Sequence, residues 1–330
     1  MFAKKIGIDL GTSSMRTYVR GEGMLVDEPS VAAVEPRGGG LLAVGREALE
    51  LARRAPRSIR LVRPVRNGSI ADLRVAERVL KHLVSRAQGR QRLFRPEVMI
   101  CVHAAAGGDD RRALIGAATA AGARQAWVIE APLAAALGLG LPVAEAAPHA
   151  VCDLGGGTTQ AAVISLSGVV AAEVVPVGGE RLDAAIAAMV RERHGLPIDG
   201  AAAEALKLAL GSALPVIERR TAEVRWGDGP PATVTAQELT EAIQPPLEAM
   251  AGAVHRVLDQ TPAPLASQVA SGGFLLVGGG ALLRGVDGYL AARTGVPARV
   301  AADPRTCAVR GTRRALGDYE VLHRRQLYMR

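Results

Sequence analysis

The chain has 330 residues, 49% hydrophobic and 22% charged, which excludes a disordered polymer and allows two domains that each bury a core. Aromatic residues make up only 3%, so Ala, Val and Leu must fill the interior. A formal net charge of +8 points to an anionic partner, with a membrane surface ranked ahead of nucleic acid because no nucleic-acid module accompanies the arginine clusters.

In chain order, residues 5–20, KIGIDLGTSSMRTYVR, read as a strand, a tight turn and a second strand, entered with no apolar signal-peptide segment before it. Asp9, Gly11 and small hydroxylated residues occupy the turn. Residues 24–75 mix short apolar runs with glycines and prolines and predict a small, loop-rich insertion. Over 75–83 the apolar spacing becomes helical. Leu93 and Phe94, flanked by Arg90, Arg92 and Arg95, then precede the strand-like PEVMICV; on the residues alone, a loop that packs them inward is the favoured reading. Asp109 or Asp110 caps a helix running to about residue 120. WVIEAPLAAALG predicts a strand and a short helix with Glu130 and Pro132 at the junction, where α/β folds place their sites, a buried or capping glutamate being the alternative.

Residues 151–160, VCDLGGGTTQ, repeat the first turn with more glycine. Glycine lets backbone amides close on an anion. Together with the Thr158 and Thr159 hydroxyls and the Asp153 carboxylate, they offer what phosphates and a hydrated Mg²⁺ require. A ligand-free hairpin turn reads the same way, but two Asp-Leu-Gly turns suggest a duplicated α/β unit with the turns facing each other across a cleft.

Further on, a helix is expected from about Glu180 to Gly195, and another over 202–211 on which Glu204 and Lys207 share a face. Thr235 and Glu238 form a capping box ahead of a helix interrupted by Pro245 and Pro246. Residues 274–286, FLLVGGGALLRGV, end a strand in Gly278, Gly279 and Gly280 at a helix start, a seat for an anion or a flat base. None of the four lysines follows a glycine, which excludes a Walker-type phosphate loop. The three cysteines read as buried free thiols and the scattered histidines argue against a structural metal.

This ordered series resembles the actin superfamily of ATPases and, within it, the MreB family of bacterial actins. IGIDLGT is similar to the first phosphate motif, DLGGGTT with AVISL to the second, and LLVGGGALLRGVDGYL with TGVPARVAADPRTCAVRGT to the adenosine motif and the last strand-helix unit. EPSVAAV, RPVRNGSIAD and EALKLALGSA also match in order. The resemblance implies an α/β, actin-like fold of two ribonuclease-H-like domains around a nucleotide cleft. One would span 1–148, with an insertion at about 31–72 and the segment 312–330 returning to it. The other would span 149–311, with a smaller subdomain at about 180–260.

Carried over by position, the resemblance implies that Asp9 and Asp153 face Mg²⁺ through water and that Thr12, Ser13, Ser14 and Gly155, Gly156, Gly157 and Thr158 hold the phosphates of ATP. Glu204 and Lys207 would contact ribose and adenine, and Gly278, Gly279 and Gly280 would pack on the nucleoside. Leu93 and Phe94 match an apolar loop that inserts into membrane, which overtakes the inward-packing reading. The implied protein is cytoplasmic and peripheral at the inner face of the cell membrane, polymerises with itself, works with the cell-wall elongation machinery to set cell shape, and binds no nucleic acid.

Four departures bear on chemistry. Where two glutamates usually precede the proline, this chain has Glu130 and Ala131. Gln160 ends the second phosphate motif in place of glutamate, Asn67 stands where aspartate is usual, and Met15 replaces a small polar residue. Binding groups are kept and water-activating groups are lost, so a slow ATPase is expected, with Glu130 and Gln160 as the remaining catalytic candidates. Rival readings are a divergent paralogue that binds ATP and regulates other filaments, a small-molecule kinase of the same superfold, and a DnaK-like chaperone.

Overall fold

The strand Lys5–Leu10 is buried on both faces: Ile6 and Ile8 point into one core, and Gly7 lies directly beneath Thr312 on the other side. A side chain at Gly7 would overlap the threonine hydroxyl. The computed structural model describes residues 3–37, 39–89, 94–217, 219–225 and 229–317.

Around that strand a five-stranded sheet runs in the order Gln125–Glu130, Glu97–Val102, Lys5–Leu10, Ser14–Val19, Gly23–Pro29. The first three strands are parallel and the last three antiparallel. A second sheet repeats the pattern with Ala298–Val300, Phe274–Val277, His149–Leu154, Thr159–Ser165 and Gly168–Val175. Duplication read from two turns thus extends to whole sheets.

The sheets are joined by two exchanged helices. Ala131–Leu139 leaves the first sheet and packs on strands His149–Leu154 and Thr159–Ser165 of the second. Cys307–Gly317 follows the second sheet and packs on Lys5–Leu10, Glu97–Val102 and Ser14–Val19 of the first. Both helices lie against each other, and their apolar residues form one cluster with Met99, Ile129, Val151, Ile164 and Val277. Gly138 meets the Cys307 carbonyl and Gly311 meets the Ala134 carbonyl, so a β-carbon at either place would overlap backbone.

Several expectations change in detail. Residues 24–75 are not loop-rich: strands Ala32–Val34, Leu41–Val44 and Arg60–Val62 pair into a small sheet, and helix Arg46–Arg54 covers a core of Val31, Ala33, Ala43 and Ala48. Strands of three or four residues are too short to show a period in sequence. Helix Leu73–Gln88 is capped by Asp72, which accepts from the Val75 amide at 3.0 Å. Helix Gly108–Ala120 starts at Gly107, so Asp109 and Asp110 sit in its first turn, where they favour the helix dipole instead of capping it. The Thr235–Glu238 capping box forms as expected, and Pro245 and Pro246 begin the next helix, Gln244–Gln260. After Gly278–Gly280 the chain makes only a short 3₁₀ turn, and the α-helix starts at Val286.

The helix crossing generates a test. Gly311→Ala should lower unfolding stability by about 2 kcal/mol or more, because a methyl group there has only backbone to displace. Gly116→Ala, in helix Gly108–Ala120 with open space around it, should be neutral or raise stability by up to about 1 kcal/mol. Denaturant unfolding of the two variants measures the contrast.

Candidate functional site

The two sheets present their first hairpins to each other at the floor of a cleft of about 1520 Å³. Both turns close in the same way: the Gly11 amide donates to the Ser14 carbonyl at 3.0 Å, and the Gly155 amide to the Thr158 carbonyl at 2.8 Å. They are pressed together. A β-carbon on Gly156 would overlap the Ser13 hydroxyl, and one on Gly157 would crowd the Thr12 side chain, so glycine is required by the contact between halves as well as by any anion.

Supporting segments fix the turns. The Gly179 and Glu180 amides, at the start of helix Gly179–His194, donate to the Gly155 and Gly156 carbonyls at 3.0 and 2.8 Å. On the other side the Gly68 amide donates to the Thr12 hydroxyl at 3.2 Å. Asn67 and Gly68 both have positive φ, 48° and 79°, in the turn between strands Val65–Arg66 and Ser69–Ile70. Asparagine-glycine is the favoured pair for such a two-residue hairpin, which accounts for Asn67. Arg63 donates to the Thr12 carbonyl at 3.2 Å and also meets Glu180 at 3.4 Å, bridging the two halves over the turns.

Of the residues singled out from sequence, Asp9, Thr12, Ser13, Ser14, Asp153, Gly155, Gly156, Gly157, Thr158, Gln160, Glu204, Lys207, Gly278, Gly279 and Gly280 all line the cleft. Thr159 turns away, its hydroxyl donating to the Val177 carbonyl at 2.8 Å. Gly278, at φ 83°, and Gly280 are pressed against the end of strand His149–Leu154, whereas Gly279 faces open space.

Lys207 pairs with Asp183 at 2.7 Å and donates to the Gly179 carbonyl at 3.3 Å, leaving Glu204 exposed. Asp183 was missed from sequence, although its spacing from Glu180 puts both on one face of helix Gly179–His194. Burial raises the Asp183 carboxyl above its ordinary range, and Lys207 pulls it back. Arg16 and Arg63 were missed as well; the only signal for Arg16 is its register opposite Asp9.

Glu130 stands apart. It does not line the cleft; its carboxylate pairs with Arg111 at 2.6 Å, and the neighbouring Ala131 lines the cleft instead. Gln160 is buried on the cleft floor and accepts from the Ala104 amide at 2.9 Å. On the outer edge, Phe94 is 48% exposed, Arg95 is exposed, and Leu93 lies outside the described residues. Among the described residues no helix is long and apolar enough to cross a membrane.

Charge is concentrated beneath the turns. Burial lifts Asp153 from its ordinary 3.8 to about 7; the nearby Asp9 carboxylate adds to the rise and Arg16 opposes it. Asp9 is also raised, by burial first, with Arg16 lowering it and Asp27 raising it. Burial and the same two aspartates push the Cys101 thiol well up. Among the described residues no group of three or more His, Cys, Asp or Glu side chains converges as a metal site.

These shifts set a pH dependence. Between about 4 and about 7 folded Asp153 holds a proton that the unfolded chain has released, so the ligand-free protein loses stability as pH rises through that window. Its Tm should therefore fall between about pH 4 and about pH 7, and Asp153→Asn should flatten that slope. Calorimetric scans across the range check it; an Asp153→Asn profile parallel to wild type would contradict the assignment.

Comparison with known proteins agrees with this architecture. The family model described as MreB/Mbl protein matches residues 3–324. The cell shape-determining protein MreB of Escherichia coli (strain K12) is 43% identical over 326 residues, covering 96% of this chain and 94% of that protein. Mbl of Bacillus subtilis (strain 168) is 33% identical, covering 99% and 100%. MreB5 of Spiroplasma citri, in a crystal structure bound to ADP, superposes with a TM-score of 0.89 at 28% identity, over 96% of this chain and 97% of that one. The subunit of the MamK double helical filament shares the fold, with a TM-score of 0.81 at 21% identity over 96% of this chain and 99% of that one. Twin sheets, turns that meet at a shared cleft and a match spanning nearly the whole sequence have one explanation: the chain belongs to the MreB/Mbl family and has an actin-like fold.

Proposed function

We propose that the cleft binds ATP with Mg²⁺ and that the chain polymerises into filaments at the inner face of the cell membrane, where they organise cell-wall synthesis and so cell shape. The observation that carries this reading is the seam where the two glycine turns meet above Asp9 and Asp153. Backbone amides and the hydroxyls of Thr12, Ser13, Ser14 and Thr158 supply anion donors from both halves at once. MreB5 of Spiroplasma citri, crystallised with ADP and with AMPPNP, supports a nucleotide in this position.

The donor set fits a hydrated Mg²⁺. Two carboxylates held together by burial, each raised above its ordinary range, are relieved by a divalent charge, and with only two of them water and phosphate oxygens complete the shell. Bound there, Mg²⁺ would supply the charge that keeps both carboxylates ionised beside the phosphates. Lys207, steadied by Asp183, and Glu204 face the ribose and adenine, and Gly278–Gly280 form the flat wall for the nucleoside.

We assign the halves as 1–148, with the insertion at about 31–72, and 149–311, with a subdomain at about 180–260. The packing of Cys307–Gly317 on the first sheet supports a return of 312–317 to the first half, and 318–330 lie outside the described residues. A ligand held from both sides, with Arg63 reaching Glu180 above it, favours the clamped arrangement, and the clamped subunit fits its neighbour better. Membership of a family whose Escherichia coli relative is named cell shape-determining supports the filament role. Phe94 and Arg95, both exposed, support peripheral attachment to anionic lipid.

One experiment tests the whole reading. Purified protein with ATP, Mg²⁺ and anionic vesicles should form filaments on the vesicles by electron microscopy. Asp153→Ala should abolish filaments, and Phe94→Ser should leave filaments that no longer sediment with lipid. Wild type that forms no filaments with ATP would overturn it.

Turnover is expected to be slow. Ala131 offers no acceptor to an attacking water, Glu130 is held by Arg111, and the Gln160 side-chain oxygen is already occupied by the Ala104 amide. Positioned general-base help is worth about 10²- to 10⁴-fold, so Ala131→Glu should raise phosphate release under polymerising conditions by at least about tenfold. Brisk wild-type release that the substitution leaves unchanged would show that another residue activates the water.

A further inference from the structure

Three adjacent strands of the first sheet carry Asp9, Arg16 and Asp27 at directly opposed positions. Arg16 is nearly buried, its side chain only 8% exposed, and it lines the cleft. Its Nε lies 2.9 Å from an Asp27 oxygen, and its Nη1 lies 3.7 Å from an Asp9 oxygen. The other Asp27 oxygen lies 3.4 Å from Arg305, which belongs to the segment leading from the second sheet into helix Cys307–Gly317. A row of alternating charge thus runs from the cleft floor to the opposite half.

The duplicated hairpin has no such row. There Asp153 stands opposite Gln160, and Gln160 opposite Val174. Arg16 is therefore the counterpart of Gln160, aimed into the same cleft from the other half, but it bears a charge that cannot be released as a proton. A buried guanidinium is retained only where partners offset its desolvation. Asp27 provides the close charge contact, at 2.9 Å but without the alignment of a hydrogen bond, and the approach to Asp9 is longer, so part of the Arg16 charge is left for an anion in the cleft that it lines.

We infer that Arg16 is a built-in counter-cation of the phosphate site, supplying part of the positive charge that bound ATP would otherwise draw from Mg²⁺. This inference rests on the nucleotide reading above and adds to it a weakened dependence on the metal. Asp27 is the positioning residue: it anchors Arg16 and offsets part of its charge. The coupling between Mg²⁺ and ATP is then a quantity that these two side chains set, independently of any hydrolysis.

Isothermal calorimetry of ATP binding, in excess Mg²⁺ and in EDTA, tests this with wild type, Arg16→Met, Arg16→Lys and Asp27→Asn. Arg16→Met keeps the buried stem and should weaken Mg-free ATP binding about tenfold while binding in Mg²⁺ is kept or tightened, so the Mg²⁺ enhancement widens. Arg16→Lys should stay near wild type. Asp27→Asn, at a half-exposed position, should shift the ratio the other way, and it decides the matter alone if Arg16→Met does not fold. Equal losses in both conditions, or an unchanged ratio in Asp27→Asn, would overturn the inference. Wild type that binds no ATP in either condition would instead overturn the nucleotide reading on which it rests.

Discussion

The contact between the two glycine turns requires the cleft floor to be built from backbone. Gly156 and Gly157 admit the Ser13 and Thr12 side chains into space that any β-carbon would fill. Once the turns are that close, Asp9 and Asp153 stand half-buried on one cleft floor, where Asp9 raises Asp153, and the surrounding chain answers that cost. Arg16 stands opposite Asp9, Arg63 bridges the turns from above, and helix Gly179–His194 spends its first free amides on the carbonyls of the second turn. The helix start is thus committed to holding the loop in shape.

Much of this was legible in sequence because it depends on local chemistry. Asp-Leu-Gly followed by hydroxylated residues can be recognised without tertiary information, and so can a capping box or a glycine that ends a helix. Exchange of the helices Ala131–Leu139 and Cys307–Gly317 leaves no local trace: a helix of small apolar residues looks the same whichever sheet it covers. Arg16 and Asp183 escaped notice for a related reason. Each is an ordinary charged residue on a strand or helix, and only the pairing partner, Asp9 or Lys207, reveals that it faces the cleft.

Departures from the family pattern divide into two kinds once the structure is considered. Asn67 and Met15 have structural grounds, a left-handed turn position and a fully buried core position respectively. Gln160 is held by the Ala104 amide, whereas Ala131 has no such ground. Its neighbour Glu130 is tied to Arg111 and does not line the cleft. The glycine floor of the cleft and the junction at Ala131 are therefore separate parts of this molecule.

Each half of the molecule carries the helix that completes the other. Gly7 of strand Lys5–Leu10 is covered by Thr312, a partner that lies beyond the whole second sheet in sequence. The first sheet keeps one apolar face uncovered until that helix packs on it, and no cut between the halves leaves two complete pieces. Completion of the first sheet is in this sense a late closing event, set by contacts of very long sequence separation.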